Sequence, residues 1–228
     1  MLIRRTKQAF TLAEVLLTLA IIGVVAALTI PAVITKVTNA QFVMGAKKAY
    51  NTLKSIEQKA AIDFGDRTLW DPSLSETEYF NKYYKPYLDV LKDCKDDGEE
   101  GCWGAQYRYL NGGQIDPSHN NLGYNIITSD GMSMKFDIYT RWNVTISVDV
   151  NGPKGPNVWG KDVYAFEHCF YIGMKPFGSH YVTADIEDKC YSGGSGDMCI
   201  VKVLSEGKIN YSGGSSTDTG YGWPVPYL

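Results

Sequence analysis

A long uncharged apolar segment near the start of the chain constrains its folding more than any other feature. Residues 15–35 contain no charged side chain, and the next charge after Glu14 is that of Lys36. At about 1.5 Å of rise per residue, this segment makes a helix roughly 30 Å long, which is the thickness of the hydrocarbon core of a bilayer. The sequence therefore predicts a membrane-spanning helix.

The charges that precede this segment indicate its orientation. Arg4, Arg5 and Lys7 form a basic leader, and such residues tend to stay on the cytoplasmic side of a membrane. The chain after Lys36 is therefore expected outside the cytoplasm. Glu14 is unusual, because a carboxylate at the start of a membrane helix opposes insertion unless it lies near the interface or finds a partner.

The order of features in this region is specific. A basic leader is followed by the run Ala9-Phe10-Thr11-Leu12-Ala13-Glu14, and then by an apolar helix that contains Gly23 and Pro31. Over residues 4 to about 34, this order resembles the type IV prepilin and type II secretion pseudopilin superfamily. The resemblance implies a pilin-like protein whose leader is removed and whose helix takes part in assembly.

The resemblance also implies roles for individual residues. A prepilin peptidase cuts between Ala9 and Phe10 and methylates the new amine of Phe10. The family usually has glycine before the cut, and Ala9 is another small residue. Glu14 matches an acidic residue that meets the N-terminal amine of a neighbouring subunit during assembly. Pro31 matches a proline at which the helix bends or loosens.

Two other targeting signals fit part of this stretch. A cleaved secretory signal has an apolar core of about 7–15 residues with a small-residue site after it, whereas this run is longer and Glu14 would lie inside the core. A simple signal anchor, carrying an extracytoplasmic enzyme or adhesive protein, gains nothing from Glu14. Both alternatives stay open, and Glu14 is the residue that argues against them.

The rest of the chain is long enough for one head domain. The full length is 228 residues, and what remains beyond the membrane segment is within the usual range for a single domain. We expect a leader over residues 1–9, a transmembrane and assembly helix over residues 10–35 and a head over residues 36–228. The formal net charge of −3 provides no basic surface for nucleic acid, so no such partner is expected.

Five cysteines follow the membrane segment, in a compartment where disulfides persist. Cys94 and Cys102 flank a short charged loop, and Cys190 and Cys199 flank a loop rich in glycine and serine. Each spacing suits a local loop closure, so we favour these two pairs and leave Cys169 free, although spacing alone does not decide connectivity. Neither pair has the tight spacing and nearby histidines of a zinc site.

Two helices are predicted before the head's strands. Helical spacing of apolar residues continues beyond the membrane segment to Phe64-Gly65, where glycine provides a stop. This makes one helix of about 50 residues, apolar in its first half and amphipathic in its second, far longer than the mean globular helix. The capping-box order Ser75-Glu76-Thr77-Glu78 starts a second helix, whose apolar pattern runs to Leu91 with an interruption at Pro86.

From Gln106 the pattern changes to alternating β-forming residues. Residues 124–128 and 132–139 flank Asp130-Gly131, which is a strong hairpin signal, and further strands are predicted at 142–150, 163–172 and 199–204. Short connections imply an antiparallel sheet that packs one face on the long helix, an α+β fold. The tail over residues 211–228 is predicted to be a loop that lies over the head.

One loop concentrates oxygen ligands between two predicted strands. It offers Asp149, Asn151, Asn157 and Asp162 together with backbone carbonyls, and calcium takes about 6–8 oxygens. The order of an EF-hand is absent, and the same residue types build an ordinary wide turn. The loop loosely resembles the region where some major pseudopilins bind calcium. A structural calcium ion is the one cofactor that we consider, with the wide turn as the alternative.

The sequence contains no recognisable catalytic motif. His119, His168 and His180 are scattered along the chain. His168 and Cys169 are neighbours on a predicted strand, where adjacent side chains point to opposite faces, and Cys169 fits the pattern of a small apolar strand residue. A nucleophile elbow, a P-loop and a zinc motif are absent from the sequence. We therefore expect that the protein is not an enzyme.

Together these features predict a structural subunit of a type IV pilus or a type II secretion pseudopilus, polymerised through its N-terminal helix. The expected partners are prepilin peptidase, other copies of the chain, other pilin-like subunits and an inner-membrane assembly platform. The expected location is the bacterial inner membrane, in a single pass with a cytoplasmic N-terminus, and then the assembled pilus or pseudopilus. The alternative is a membrane-anchored extracytoplasmic binding or adhesive protein that never polymerises.

Processing at Ala9 is the first testable prediction. We expect residues 1–9 to be absent from the mature protein and Phe10 to carry an N-methyl group. Mass spectrometry of the membrane-extracted protein and of its N-terminal peptide measures both, with peptidase-deficient cells as the control. A chain that keeps Met1 in cells with active peptidase contradicts the prediction.

Overall fold

The computed structural model describes residues 10–95, 101–115, 123–140, 143–181 and 183–211. The chain forms two units, one up to Asn39 and one from Ala40 onward. Helix α1 (Leu12–Phe64, 53 residues) contributes to both units. The leader, His119 and residues 212–228 of the predicted tail lie outside the described residues.

The part of α1 in the first unit is apolar on all sides. Side chains that point in different directions are similarly exposed, such as Leu19 at 59%, Ile22 at 63% and Val24 at 62%. Among the described helices α1 alone is long and apolar enough to cross a membrane, judged by length and composition. A helix that is hydrophobic all round suits a lipid environment rather than water.

The threonines in this part of α1 have their hydroxyl groups satisfied within the helix. Thr18 Oγ1 donates to Val15 O at 2.9 Å, and Thr29 Oγ1 donates to Val25 O at 2.9 Å. A hydroxyl that is hydrogen-bonded to its own backbone adds little to the cost of placing a helix in lipid. These polar residues are therefore compatible with a membrane-spanning segment.

In the second unit, one stripe of α1 is buried and the helix ends as the sequence predicts. The buried residues follow helical spacing and are Phe42, Val43, Ala46, Ala49, Leu53, Ile56 and Ala60. The last helical residue is Phe64, and Gly65 follows with a φ of 75°. Gly65 donates its backbone N–H to Ala61 O at 3.0 Å, which closes the helix in the left-handed geometry that favours glycine.

Helix α2 (Glu76–Tyr83) starts as predicted but is shorter than predicted. Ser75 and Glu78 form the capping box, which confirms the predicted start. After Tyr83 the chain makes a 3₁₀ turn at Lys85–Tyr87, because Pro86 has no N–H to continue the helix. The prediction that the helix extends to Leu91 is wrong, since that residue lies in a strand with 69% of its surface exposed.

Eight strands are present in the described residues, in two sheets. The strands are β1 (Val90–Lys95), β2 (Tyr107–Arg108), β3 (Gln114–Ile115), β4 (Tyr124–Thr128), β5 (Ser133–Thr140), β6 (Asn143–Asp149), β7 (Val163–Cys169) and β8 (Gly173–Pro176). Six of them form an antiparallel sheet in the order β1-β4-β5-β6-β7-β8, and β2 pairs with β3. The α+β prediction and the hairpin at Asp130-Gly131 are confirmed.

Two predictions about the last strands are wrong. The strand predicted at 163–172 ends at Cys169 and is followed by the separate strand β8. The strand predicted at 199–204 is the helix α4 (Cys199–Glu206). Its buried residues Cys199, Ile200 and Val203 lie on one helical face, and Gly207 ends the helix with a φ of 69°. The seven-residue helix α3 (Thr183–Lys189) precedes it.

The core of the second unit lies between α1 and the sheet and is rich in aromatic rings. Phe80 of α2 stacks on Tyr124 of β4 with ring centroids 4.0 Å apart, and Trp70 stacks on Tyr83 with centroids 4.3 Å apart. Both pairs are buried. Aromatic pairs of this kind add a directional contribution to the burial of their apolar area. The first pair therefore holds α2 against the sheet, and the second holds it against the segment that follows α1.

The structure contains two disulfides in the head. Cys94 at the end of β1 is bonded to Cys102, and Cys190 is bonded to Cys199, the first residue of α4. All four residues are buried, and Cys169 forms no disulfide. Each bond closes a short local loop, with sequence separations of 8 and 9, so it restricts the unfolded chain locally.

The two loop closures give a prediction about stability. Each disulfide is expected to contribute roughly 2–3 kcal/mol by restricting the unfolded chain. Peptide mapping without reduction should recover Cys94 with Cys102 and Cys190 with Cys199, and denaturant unfolding should show the loss after mild reduction. A peptide that joins Cys169 to any of these cysteines contradicts the pairing.

Candidate functional site

The first turn of α1 contains a capping box that our sequence analysis did not identify. Thr11 donates from its backbone N and from Oγ1 to Glu14 Oε2, at 2.9 and 2.7 Å. Glu14 N donates back to Thr11 Oγ1 at 3.3 Å. The signal was visible as the order Thr-x-x-Glu, the same order that predicts the start of α2 at Ser75.

This geometry explains how Glu14 is accommodated within a single chain. Its carboxylate accepts hydrogen bonds at the N-terminal end of a helix, where free backbone N–H groups and the helix dipole favour a negative charge. Phe10, the predicted first residue of the mature chain, is 87% exposed just before this turn. Pro31 lies inside α1, which continues past it as helix. Ala9 lies outside the described residues.

The loop between β6 and β7 buries three of the four predicted calcium ligands, Asp149, Asn157 and Asp162, and leaves Asn151 half-buried beside Asp149. Asp149 is fully buried and accepts from the Tyr107 hydroxyl at 2.7 Å. Asp162 is also fully buried and accepts from the backbone N of Asn157 and Val158, at 2.8 and 2.7 Å. Asn157 has a φ of 56°, a left-handed conformation that asparagine tolerates.

Burial raises the pKa of both carboxyl groups. The pKa of Asp149 is raised to about 8, chiefly by desolvation and also by the neighbouring Asp162 charge, against the opposing effect of the Tyr107 hydrogen bond. Desolvation also raises the pKa of Asp162, although backbone N–H groups oppose the shift. Without a cation, Asp149 therefore holds a proton through much of the neutral range.

Two amide oxygens in the same loop are buried without a hydrogen-bond partner. They are Asn151 Oδ1 and Asn157 Oδ1, while the amide nitrogens of both residues donate, to Lys154 O at 2.6 Å and to Gln106 O at 3.2 Å. An unpaired buried acceptor is costly, and amide and carboxylate oxygens are ligands that calcium takes. The residues present therefore fit a cation.

The loop does not form a cluster of purely acidic ligands. Within the described ranges, no group of three or more His, Cys, Asp or Glu side chains is placed to hold a metal ion. A cation held here by Asp149 and Asp162 needs the amide oxygens of Asn151 and Asn157 and backbone carbonyls to complete its coordination.

The described histidines and the free cysteine are not arranged as a catalytic group. His168 is fully buried, with Nδ1 2.8 Å from the Tyr84 hydroxyl. His180 Nδ1 lies 3.0 Å from Glu167 Oε1. Burial raises the pKa of the Cys169 thiol to about 11, so this thiol is protonated and weakly nucleophilic at neutral pH. These contacts give no pair of nucleophile and base.

Comparison with protein families identifies the N-terminal region. Residues 4–30 match the prokaryotic N-terminal methylation motif, which is the prepilin-type signature. The motif supports a type IV pilin-like or pseudopilin precursor, a class of structural subunits. The apolar start of α1 and this motif are consistent with membrane anchoring. Searches of curated proteins and of solved structures found no match to the chain.

The raised pKa of Asp149 predicts a pH dependence of stability. The folded state binds the Asp149 proton more tightly than the unfolded state, so this contribution is complete below about pH 4 and is lost as pH rises through about 8. Denaturant unfolding of the full chain in detergent and chelator should show this loss relative to Asp149→Asn, which keeps an acceptor for Tyr107. Parallel pH profiles for the two proteins contradict it.

Proposed function

We propose that this protein is a structural subunit of a type IV pilus or a type II secretion pseudopilus. It is made as a precursor, cleaved by prepilin peptidase between Ala9 and Phe10, and polymerised through its N-terminal helix with other copies and other pilin-like subunits. The observation that carries the proposal is the methylation motif at residues 4–30, which includes the start of a membrane-length apolar helix. The disulfide-bonded β-sheet head fits a subunit exposed outside the cytoplasm.

The apolar surface of α1 supplies the contacts for polymerisation. Before assembly, the inner membrane covers the exposed side chains of the first unit, and in the polymer the helices of neighbouring subunits cover them. Helices in water-free surroundings are held by close side-chain packing rather than by the hydrophobic effect. Such packing alone permits several axial registers, because the helix is apolar all round.

Glu14 selects one register in this proposal. Cleavage before Phe10 creates an amine at the end of the helix, and a neighbouring subunit displaced along the polymer axis places its own amine beside Glu14. A charge pair is far stronger in low dielectric than in water, and a charge left without its partner there is strongly unfavourable. The Thr11 hydrogen bonds hold the carboxylate near the helix end until the partner arrives.

The role of Glu14 gives a prediction about assembly. Glu14→Leu is expected to insert into the membrane normally, because it removes the free-energy cost of placing a charge in lipid. It should form no polymer, because it also removes the charge that sets the axial register between neighbouring helices. Glu14→Gln keeps a capping acceptor without the charge and should fail in the same way. The assay separates membrane-inserted monomer from sheared polymer in cells that lack a wild-type copy.

A matched control is available in the head. Glu78 forms the same box with Ser75, at 3.0, 2.7 and 3.3 Å, so Glu78→Leu removes an equivalent cap without changing the N-terminal segment. This variant should assemble. Normal polymers from Glu14→Leu would contradict the role of Glu14 and favour the anchored binding or adhesive protein.

We also propose that the loop from Asp149 to Asp162 binds a structural calcium ion. The unpaired oxygens of Asn151 and Asn157 support it, since a bound cation would satisfy both. Calcium would also neutralise the two buried carboxylates, whose mutual repulsion opposes ionisation. The ion would thereby fix the β6–β7 connection.

Calcium binding is expected to release a proton from Asp149. Affinity should rise as pH approaches about 8, where Asp149 ionises. Calorimetric titration in two buffers with different heats of protonation counts the released protons, and thermal unfolding measures the stabilisation. Asp162→Asn should abolish the response, whereas Asp71→Asn, at an exposed turn, should keep it. Equal melting temperatures in calcium and in chelator exclude the ion.

A further inference from the structure

A small pocket lies in the second unit beside the end of α1, and its lining shares no residue with the two regions described above. Its volume is about 200 Å³, and its walls include Glu57, Asp66, Trp70, Tyr171 and Ile172. We name it the Glu57 pocket. All of its residues belong to the second unit, so it is a feature of the head alone.

Two carboxylates line the Glu57 pocket, and each is held to its own chain through one oxygen. Glu57 Oε2 accepts from Met174 N at 3.1 Å. Asp66 Oδ1 accepts from Thr68 N and Oγ1, at 2.9 and 2.7 Å. These bonds fix both carboxyl groups in place, as is required of groups that recognise a ligand.

A buried histidine faces one of these carboxylates. His168 Nε2 lies 3.4 Å from Glu57 Oε1, and the nitrogen is fully buried without a hydrogen-bond partner. The other nitrogen of the ring is engaged by the Tyr84 hydroxyl. At 3.4 Å this is a long contact, and Glu57 Oε1 keeps a lone pair with which it can accept from a ligand.

The charge of the pocket favours a cation. Its lining contains two carboxylates, Glu57 and Asp66, and one guanidinium, Arg67, so the formal sum is −1. Arg67 is buried and interacts with the Tyr79 hydroxyl. The rings of Trp70 and Tyr171 add to the preference, because aromatic faces attract cations.

The surface around the pocket is apolar and exposed. Tyr171 is 81% exposed, Ile172 is 57% exposed, and Leu69, next to Trp70 in the chain, is 73% exposed. Exposed apolar side chains grouped around a polar centre are typical of protein interaction sites. The volume of about 200 Å³ is below the range of roughly 300–1,000 Å³ of small-molecule sites, so it suits a single side chain.

We propose that the Glu57 pocket receives a lysine side chain from a second copy of this chain. The complementary charge is on the exposed face of α1, where Lys47 and Lys59 form no ion pair with any described residue. A contact between a pocket on one copy and a different surface on the next is heterologous, and such contacts build open helical polymers. The inference rests on the proposed function, since a polymer holds the copies together.

Zero-length crosslinking tests this contact in the assembled full-length protein. Polymers are made from a mixture of ¹⁴N and ¹⁵N chains and treated with a carbodiimide, which joins a carboxylate directly to an amine. Mass spectrometry should find Asp66 or Glu57 joined to Lys47 or Lys59 in mixed-isotope peptides, which only two different copies can give. Asp66→Asn, which keeps an acceptor for Thr68, should remove the Asp66 product.

A charge exchange gives the second measurement. Asp66→Lys should lower the polymer yield about tenfold, as expected for the loss of one partly buried ion pair, and a lysine-to-glutamate change at the crosslinked partner should restore it. Asp71→Lys is the matched control, because Asp71 caps Ser73 with the same bond lengths, 2.9 and 2.7 Å, outside the pocket lining. Restoration by a second charge change is not expected of a misfolded head.

The outcomes separate this inference from the proposed function. Wild-type polymers that lack the mixed-isotope crosslink, or that form normally with Asp66→Lys, overturn the inference and leave the proposed function standing. A wild-type chain that is cleaved and methylated yet forms no polymer overturns both.

Discussion

The structure of the head depends on one packing interaction, that between the buried stripe of α1 and the inner face of the sheet. Ala46, Ala49 and Ala60 are completely buried in this stripe, and their small side chains let the sheet lie close to the helix. Larger residues fill the space between them, with Tyr50 stacked on Phe166 at 6.0 Å between ring centroids. Because interiors are close-packed, a larger residue at any of these alanines displaces the strands that face it. One face of the helix therefore packs in the core of the head, while its other faces remain exposed.

The two units place opposite demands on the residues of α1. From Ala40 onward the helix needs one apolar stripe and a polar remainder, whereas over residues 15–35 it is uncharged and apolar in every direction. The first pattern suits a helix packed on a sheet in water, and the second suits lipid or other apolar helices. A single helix thus carries two kinds of interface, and the change between them begins near the first lysine of the helix, Lys36.

Features set by neighbouring residues could be predicted from the sequence, whereas features set by distant ones could not. Gly65, the Ser75 capping box and the Asp130-Gly131 turn act within a few residues, and each ended or began an element as predicted. Helix α4 was missed because its β-branched residues favour a strand locally, while burial of Cys199, Ile200 and Val203 on one face requires a helix. The loop residues around Asp149 were singled out from the sequence only because the loop is rich in Asp and Asn. The Glu57 pocket was not, because it depends on contacts such as Glu57 to Met174, which are 117 residues apart.

The two capping boxes of this chain show why local geometry does not define the function of Glu14. Thr11 with Glu14 and Ser75 with Glu78 have nearly the same hydrogen bonds, with lengths of 2.9, 2.7 and 3.3 Å against 3.0, 2.7 and 3.3 Å. Glutamine completes such a box as well as glutamate does, so capping alone does not require a charge at either position. At Glu78 the charge is solvated and has little cost. At Glu14 it begins a segment suited to lipid, where a neutral cap would be favoured. The presence of a charge at Glu14 is therefore consistent with a charged partner. In the proposed polymer, that partner is the N-terminal amine of a neighbouring subunit.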